Sequence, residues 1–313
     1  MTTLITGGTG FIGAEIVRML VESGEGPIHV AQRSSDLGRL ADLEDRVELH
    51  HLDLTDGDEI DDVIATVAPN RIFHFGAILT GPGEQDPQTL LAANAVGFIR
   101  AIEAARLAGT EQFIFASSIG TYGRDRNGAD PIDDLSLQRP NTVYGVTKVF
   151  GENLGAYYKV KYAMDFRSLR YPAIVGPGVT TWSVAQYTSW MIEQPALSNP
   201  FEVWARPETI IALLYYKDAA RAAVELANAP LEQIKAINYL VDGPRPTPSA
   251  AEIAEAVKRH LPDADITFAR EPNPMLARQI RLDDRAARHE WGWQPAYGLD
   301  DMISEIIEVS QAQ

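Results

Sequence analysis

Cysteine is absent from this chain of 313 residues. Its absence excludes disulfides, thiol nucleophiles and zinc–thiolate sites together. Histidine is scarce: six are scattered along the chain without the spacing of a metal-ligand motif. His50 and His51 are adjacent, but they end an apparent strand (Val47-Glu48-Leu49). Adjacent strand side chains point to opposite faces, so the two are not expected to share an ion, and no metal site is expected. Basic residues are outnumbered, 27 against 43 acidic, giving a formal net charge of −16. That balance argues against nucleic acid as a partner, because phosphates demand Lys/Arg patches. No apolar run reaches the length of a membrane span, so no membrane partner is expected. An apolar strand begins within the first residues, leaving no room for a signal peptide, and the expected location is cytoplasmic. Repeats and low-complexity segments are missing as well. What the chain does have is 45% hydrophobic residues, enough for one large domain or two lobes.

Those residues are arranged in alternation through the first half. Strands are expected at 3–6, 27–31, 47–50, 71–75, 112–116 and 165–171, and helices at 11–23, 57–68, 88–107 and 142–161. Such alternation predicts an α/β fold, a Rossmann-type doubly wound parallel sheet with helices on both faces. Ligands then belong at the carboxyl ends of the strands. After Tyr171-Pro172 proline becomes frequent and the alternation stops. The expected division is a dinucleotide-binding domain at 1–171, rejoined by 213–244. A smaller substrate-binding lobe is expected from 172–212 and 245–313.

Three local signals carry chemistry. The first is Gly7-Gly8-Thr9-Gly10-Phe11-Ile12-Gly13, which follows the apolar run Leu4-Ile5-Thr6 and opens a helical pattern of Ile16, Val17, Leu20 and Val21. Gly7 and Gly10 allow a tight turn and a close approach to a pyrophosphate, and Gly13 allows the helix to pack on the strand. The helix N-terminus then presents free N–H groups to the phosphates. The second is Tyr144 with Lys148, four residues apart and on one helix face. A nearby ammonium favours the phenolate and lowers the tyrosine pKa, which suits a general acid/base. Tyr157 and Lys161 repeat the spacing, about 20 Å further along the same helix. Only the first pair follows Arg139-Pro140-Asn141, where a helix would begin near the sheet edge, so Tyr157 reads as an ordinary helix residue. The third is Ser118, at the end of the buried strand Phe113-Ile114-Phe115-Ala116-Ser117. A hydroxyl there could hold a substrate oxygen while Tyr144 exchanges its proton.

These residues resemble the extended short-chain dehydrogenase/reductases, which include the NAD-dependent epimerases and dehydratases. The resemblance runs over nearly the whole chain. It takes in the Thr6–Gly13 turn, Asp53-Leu54, His74-Phe75-Gly76-Ala77, Ser117-Ser118, Tyr144 with Lys148, and Leu169-Arg170-Tyr171-Pro172. Tyr216-Lys217-Asp218-Ala219-Ala220-Arg221 and Trp291-Gly292-Trp293-Gln294-Pro295 look like further markers. Within the family the chain is most similar to the L-threonine 3-dehydrogenase branch, through Ala77-Ile78-Leu79-Thr80, Gly83-Glu84 and Arg167–Pro172. The resemblance implies hydride transfer at a carbon bearing a hydroxyl, with the hydride carried by a nicotinamide. Lys148 would hold the nicotinamide ribose and lower the Tyr144 pKa, Tyr144 would pass the hydroxyl proton, and Ser118 would place the oxygen. Asp53 and Leu54 would meet the adenine. Gly76 and Ala77 would line the pyrophosphate and ribose, with Tyr171 also among the cofactor contacts. Thr80, Ile119, Thr180, Thr181 and Trp182 would line a substrate pocket. In relatives the helices matching 88–107 and 142–161 pair across a two-fold axis, which implies a homodimer.

Departures from the family narrow the reading. The position that selects NAD through a carboxylate on the ribose 2′-hydroxyl holds Gln32. Arg33 and Ser34, next to it, would clasp a 2′-phosphate, so the expected cofactor is NADP, with NAD as the alternative. Ile119-Gly120 follows Ser118 where sugar-nucleotide dehydratases carry an acidic pair, and Ala173 stands where galactose epimerases carry an asparagine. The stretch 172–212 has one basic residue, Arg206, against Glu193, Glu202 and Glu208. A diphosphate needs cationic donors, so a small hydroxy or oxo compound is expected instead. The threonine-dehydrogenase pattern has an aspartate where this chain has Trp182, which with Gln32 sets threonine itself in doubt. Two alternatives remain: an epimerase with retained NAD, and a regulator that only binds the cofactor. The joint presence of Ser118, Tyr144 and Lys148 argues against the regulator.

Overall fold

A computed structural model describes residues 1–123, 131–276 and 279–312. Alternation of strand and helix opens the chain: β1 (Thr3–Thr6), α1 (Gly13–Glu22), β2 (Ile28–Gln32), β3 (Glu48–His51), α2 (Gly57–Val67) and β4 (Arg71–His74). Then come α3 (Thr80–Gln85), α4 (Pro87–Leu91), a π-helical turn (Ala92–Gly97), α5 (Phe98–Leu107), β5 (Gln112–Ser118), α6 (Val143–Tyr162) and β6 (Asp165–Tyr171). The remainder runs through β7 (Ala173–Val175), α7 (Tyr187–Ala196), β8 (Phe201–Val203), β9 (Leu213–Tyr215), α8 (Tyr216–Asn228) and β10 (Asn238–Leu240). It closes with α9 (Ala250–His260), β11 (Ile266–Phe268), α10 (Arg285–Glu290) and α11 (Leu299–Gln311).

Seven strands form one parallel sheet in the order β10-β6-β5-β4-β1-β2-β3. Because β1 is flanked by β2 on one side and β4 on the other, the winding reverses beside it. A crevice opens at such a reversal, outside the carboxyl ends of the strands. Successive β1 residues serve opposite layers. Ile5 packs with Val17, Leu20, Ala219 and Ala223 of α1 and α8, while Leu4 packs with Ile60, Ile64 and Phe98 of α2 and α5. Strands β1, β2 and β4 and most of β5 are buried on both faces, as in a covered parallel sheet, whereas the edge strand β3 is partly exposed. The helix starts are chemically marked. Asp56 caps α2 by accepting from the N–H groups of Asp58 and Glu59, Thr142 caps α6, and Ser249 with Glu252 makes a capping box at α9.

A further apolar cluster lies in the C-terminal half, where α7, α9 and α11 bring together Tyr187, Met191, Ile253, Val257, Met302 and Ile306. Two elements differ from expectation. The segment from 213 starts as strand β9, paired with β7 off the main sheet, before α8 begins. The sheet also has a seventh strand, β10, at its edge beside β6. Its three residues are too short a run to announce themselves in sequence. Among the described residues no helix is long and apolar enough to cross a membrane.

Candidate active site

The glycine turn sits at the reversal point. Gly7 adopts φ of 68°, and a Cβ there would lie 2.7 Å from the Gly76 nitrogen. At Gly13 a Cβ would come within 2.3 Å of the Gly7 carbonyl oxygen, so helix α1 can start this close to β1 only with glycine. Thr6 ties the two sides together. Its hydroxyl accepts from the Gly76 N–H at 3.2 Å and meets His74 Nδ1 at 3.1 Å. Beside the turn lies a cavity of about 280 Å³, lined among others by Gly7, Arg33, Asp53, Leu54, Gly76 and Ala77. Six expected cofactor residues from four separate segments thus share one hollow. The residues present fit the adenosine end of a dinucleotide: glycines leave room for backbone approach, Leu54 offers an apolar face, and Asp53 and Arg33 offer polar ends. Asp53 also closes a turn, its carboxylate accepting from the Thr55 N–H and hydroxyl at 2.8 Å.

Three contacts in and around this hollow are not legible in the sequence. Gln32 is buried and gives its side-chain amide to the Ser34 and Asp36 carbonyls, at 2.8 and 2.6 Å. It shapes the loop that presents Arg33. Asn94, inside the π-helical turn, donates to the Ile78 carbonyl and accepts from the Ile78 N–H, both at 2.8 Å. That bulge pins the segment after Gly76, a common use of π-turns at functional sites. Arg39 stands over the Phe11 ring at 5.1 Å and donates to the Pro177 and Gly178 carbonyls at 3.3 and 3.0 Å. One side chain therefore joins the loop after β2 to the loop after β7.

Ser118, Tyr144 and Lys148 converge at the carboxyl end of β5. Tyr144 and Ser118 flank Gly120: a Cβ there would lie 3.4 Å from Ser118 Oγ and 3.6 Å from the Tyr144 ring, and Ser118 Oγ accepts from the Gly120 N–H at 3.0 Å. The Lys148 ammonium lies 5.3 Å from the Tyr144 ring centre and donates to the Ala116 carbonyl at 2.7 Å. Burial pushes the Tyr144 phenol up to about 12, partly offset by Ser118. Burial also pulls Lys148 down to about 7, partly offset by Glu152. The expected lowering of the tyrosine pKa by Lys148 is therefore not met in this arrangement. The ammonium is turned to a backbone carbonyl, and desolvation of the phenolate outweighs what it contributes.

A pH test follows from Lys148. Its folded pKa lies near 7 and its ordinary value is 10.5. Between the two the unfolded chain holds a proton that the folded chain lacks, so stability rises with pH across this window. Lys148→Met removes that rise and stabilises the protein at pH 7. Urea melts of both proteins at pH 7 and about pH 9 read it directly; equal slopes would refute it.

Behind the three lies a buried ion pair. Arg170 gives Nε and Nη2 to the two Glu152 carboxylate oxygens at 2.8 and 2.7 Å, and Glu152 also accepts from Ser117 and Gln138. Arg170 Nη1 reaches the Tyr122 hydroxyl and the Asp134 carbonyl. On the other side, Gly145 packs against the loop after β5. A Cβ at 145 would lie 2.3 Å from the Gly120 carbonyl oxygen and 2.8 Å from Pro140 Cβ. Gly145→Ala must push the first turn of α6 outward. A loss of about 1–3 kcal/mol is expected for such overpacking, read by thermal melting, with a fall in turnover because Tyr144 moves too.

The expected substrate residues gather less tightly. Ile119 opens the turn after Ser118. Thr80 opens α3, and Gly81 behind it touches the Trp182 backbone, where a Cβ would lie 2.6 Å from the carbonyl oxygen. Thr180 and Trp182 are exposed, and Thr181 is half-buried. Trp190 and Trp204 brace this stretch from below, donating their indole N–H to the Val179 and Val184 carbonyls, each at 2.9 Å. They are struts rather than pocket walls. Tyr171 is a correction: its ring is in the core and its hydroxyl donates to the Ala219 carbonyl at 2.9 Å, leaving no side-chain group for a cofactor. Ser34 is exposed, with its hydroxyl accepting from the Asp36 N–H. Tyr157 is also exposed, packed edge-on against Tyr158 and Tyr162. The two late marker segments contact each other: buried Asp218 accepts from the Ala296 and Tyr297 N–H groups, and Arg221 lies over Trp293.

A profile of the NAD dependent epimerase/dehydratase family matches residues 3–241. The mitochondrial L-threonine 3-dehydrogenase of Sus scrofa is 30% identical over 97% of this chain and 81% of its own length. A GalE-like L-threonine dehydrogenase structure from Cupriavidus necator is 26% identical, with a TM-score of 0.88, covering 98% of this chain and 99% of that one. A UDP-glucose 4-epimerase from Thermotoga maritima shares the fold with a TM-score of 0.87 at 21% identity, over 98% of each chain.

Proposed function

Because this chain belongs to the NAD dependent epimerase/dehydratase family and is a nicotinamide-dependent oxidoreductase, we propose that it is an NADP-linked dehydrogenase or reductase of a small hydroxy or oxo compound. The convergence of Ser118, Tyr144 and Lys148 at the carboxyl end of β5 carries the reading. When bound, the cofactor supplies or takes up the hydride. The chain's own groups handle the proton and the geometry. Ser118 holds the reacting oxygen, Tyr144 gives or takes its proton, and Lys148, beside the Tyr144 ring, would hold the nicotinamide ribose. The glycine turn and Gly76-Ala77 receive the dinucleotide, with Thr80 and Thr180–Trp182 closing over the substrate. Residues 1–171 with 213–244 then serve the cofactor, and the remaining stretches the substrate.

Arg33 supports NADP. It lines the cavity beside Asp53, where no carboxylate stands at position 32 to repel a 2′-phosphate. NADP is expected to quench tryptophan fluorescence at lower concentration than NAD. Arg33→Ala should erase at least about tenfold of that preference, as befits a lost charge-assisted bond. Tighter binding of NAD would reverse the assignment. A panel of secondary alcohols and ketones then identifies the substrate class. Cofactor that stays bound through purification, with no net turnover, would indicate an epimerase instead.

Exposed Val96 on the π-helical turn, Ile99 on α5, and Val146, Phe150 and Val160 on α6 give these faces the apolar surface of a homodimer. Sedimentation at micromolar concentration is expected to give twice the chain mass, and Phe150→Asp to give the monomer; a monomeric wild type would dismiss the dimer.

A further inference from the structure

Outside the crevice, the open edge of the central sheet gathers three side chains with metal-ligating atoms. His29 sits on β2 and pairs in register with Glu48 on β3, while His50 follows Glu48 two residues later. Residues two apart on a strand share a face, so all three side chains project to the same side. His29 Nδ1 and His50 Nε2 are 2.9 Å apart. The Glu48 carboxylate lies 3.5 Å from the first and 3.6 Å from the second. Among the described residues this is the one group of three such side chains whose ligand atoms all lie within 4.8 Å of one another. We propose that His29, Glu48 and His50 bind a divalent first-row cation of the zinc type, independently of the dehydrogenase chemistry.

The geometry supports this. Two ligand atoms bonded at about 2.0–2.1 Å to one ion lie roughly 2.9 Å apart at a right angle and roughly 3.4 Å apart at the tetrahedral angle. The observed 2.9 Å matches the right-angle value and the 3.5 and 3.6 Å lie just beyond the tetrahedral one, so little rearrangement is needed to admit an ion. Two imidazoles and one carboxylate form a donor set of zinc, cobalt and iron sites, whereas magnesium and calcium favour oxygen. The histidine side chains are 11% and 14% exposed, whereas Glu48 is 67% exposed, leaving one side open to water as a fourth ligand. The cation also suits a chain with a net charge of −16. His29 precedes Gln32 by about 10 Å of strand, and His50 precedes cavity-lining Leu52. A bound ion would clip the edge strand to its neighbour just upstream of the cofactor hollow.

The test uses the untagged full chain and cobalt(II), whose visible absorption reports coordination. One cobalt per chain is expected, displaced by one equivalent of zinc, with zinc raising the thermal midpoint. His50→Ala should weaken cobalt binding at least about 100-fold, beyond the 10–100-fold typical of an outer-shell partner. Glu48→Gln, at an exposed position that does not threaten folding, should weaken it at least about tenfold. His51→Ala is the control and should change nothing, because His51 faces Glu59 instead. No saturable binding below millimolar cobalt would overturn the proposal, as would unchanged affinity in His50→Ala and Glu48→Gln.

Discussion

Tyr144→Phe should lower kcat by at least about 10²–10⁴-fold, the range that a positioned proton donor or acceptor contributes. The cofactor dissociation constant should hardly move, because the phenol oxygen is one contact among many in the crevice. Folding stability should change little, within about 1 kcal/mol, since the substitution removes one hydroxyl and leaves the ring in place. The combination is diagnostic: a chemical step abolished, nucleotide binding kept, and the melting curve nearly superimposable. Wild-type turnover in this variant would end the assignment of Tyr144 as acid/base. Loss of turnover together with loss of nucleotide binding would instead mark Tyr144 as a cofactor anchor.

The largest expected effect on stability lies one layer deeper. Glu152 is about 1% exposed and its oxygens take hydrogen bonds from Arg170, Ser117 and Gln138. Glu152→Ala strands the buried Arg170 guanidinium without its counter-charge, at a cost of about 3–5 kcal/mol. At about 1.5 °C per kcal/mol for a chain of 313 residues, the midpoint of thermal unfolding should fall by about 5–8 °C. Turnover should fall as well, because Glu152 lies one helical turn from Lys148 and holds the residue before Ser118. The double variant Glu152→Met with Arg170→Met separates the two effects. Replacing both partners with apolar groups removes the stranded charge, so most of the stability should return while activity does not. A double variant as unstable as Glu152→Ala would show that the network, rather than the unpaired charge, dominates.

Local chemistry was readable from sequence, and long-range chemistry was not. The glycine turn announces itself because strand, turn and helix are contiguous, and each glycine meets a neighbouring backbone atom in the fold. Tyr144 could be separated from Tyr157 because only one of them follows a helix start; the other is exposed mid-helix. By contrast, Asn94 is anchored by Ile78 from another segment, and Arg170 finds Glu152 across a helix–strand boundary. The His29–Glu48–His50 group forms only when β2 and β3 align, though alternation at 48 and 50 was a usable hint. The effect of Lys148 on Tyr144 was misjudged for a different reason. Spacing shows that the two share a helix face, but the sign of the pKa shift depends on how dry the site is and on where the ammonium points. Tyr171 was misplaced in the same way: a residue at a strand end can face the mouth of a crevice or turn into the layer beneath it.

Arg39 grips Pro177 and Gly178 in the loop after β7 while resting on the Phe11 ring of the glycine turn. On the proposed assignment this one side chain touches both the nucleotide region and the substrate region, so filling one is expected to alter the affinity of the other. Whatever factor the nucleotide contributes to retention of the second molecule, that molecule must return to the nucleotide in equal measure. Severing the link should make the two occupancies statistically independent.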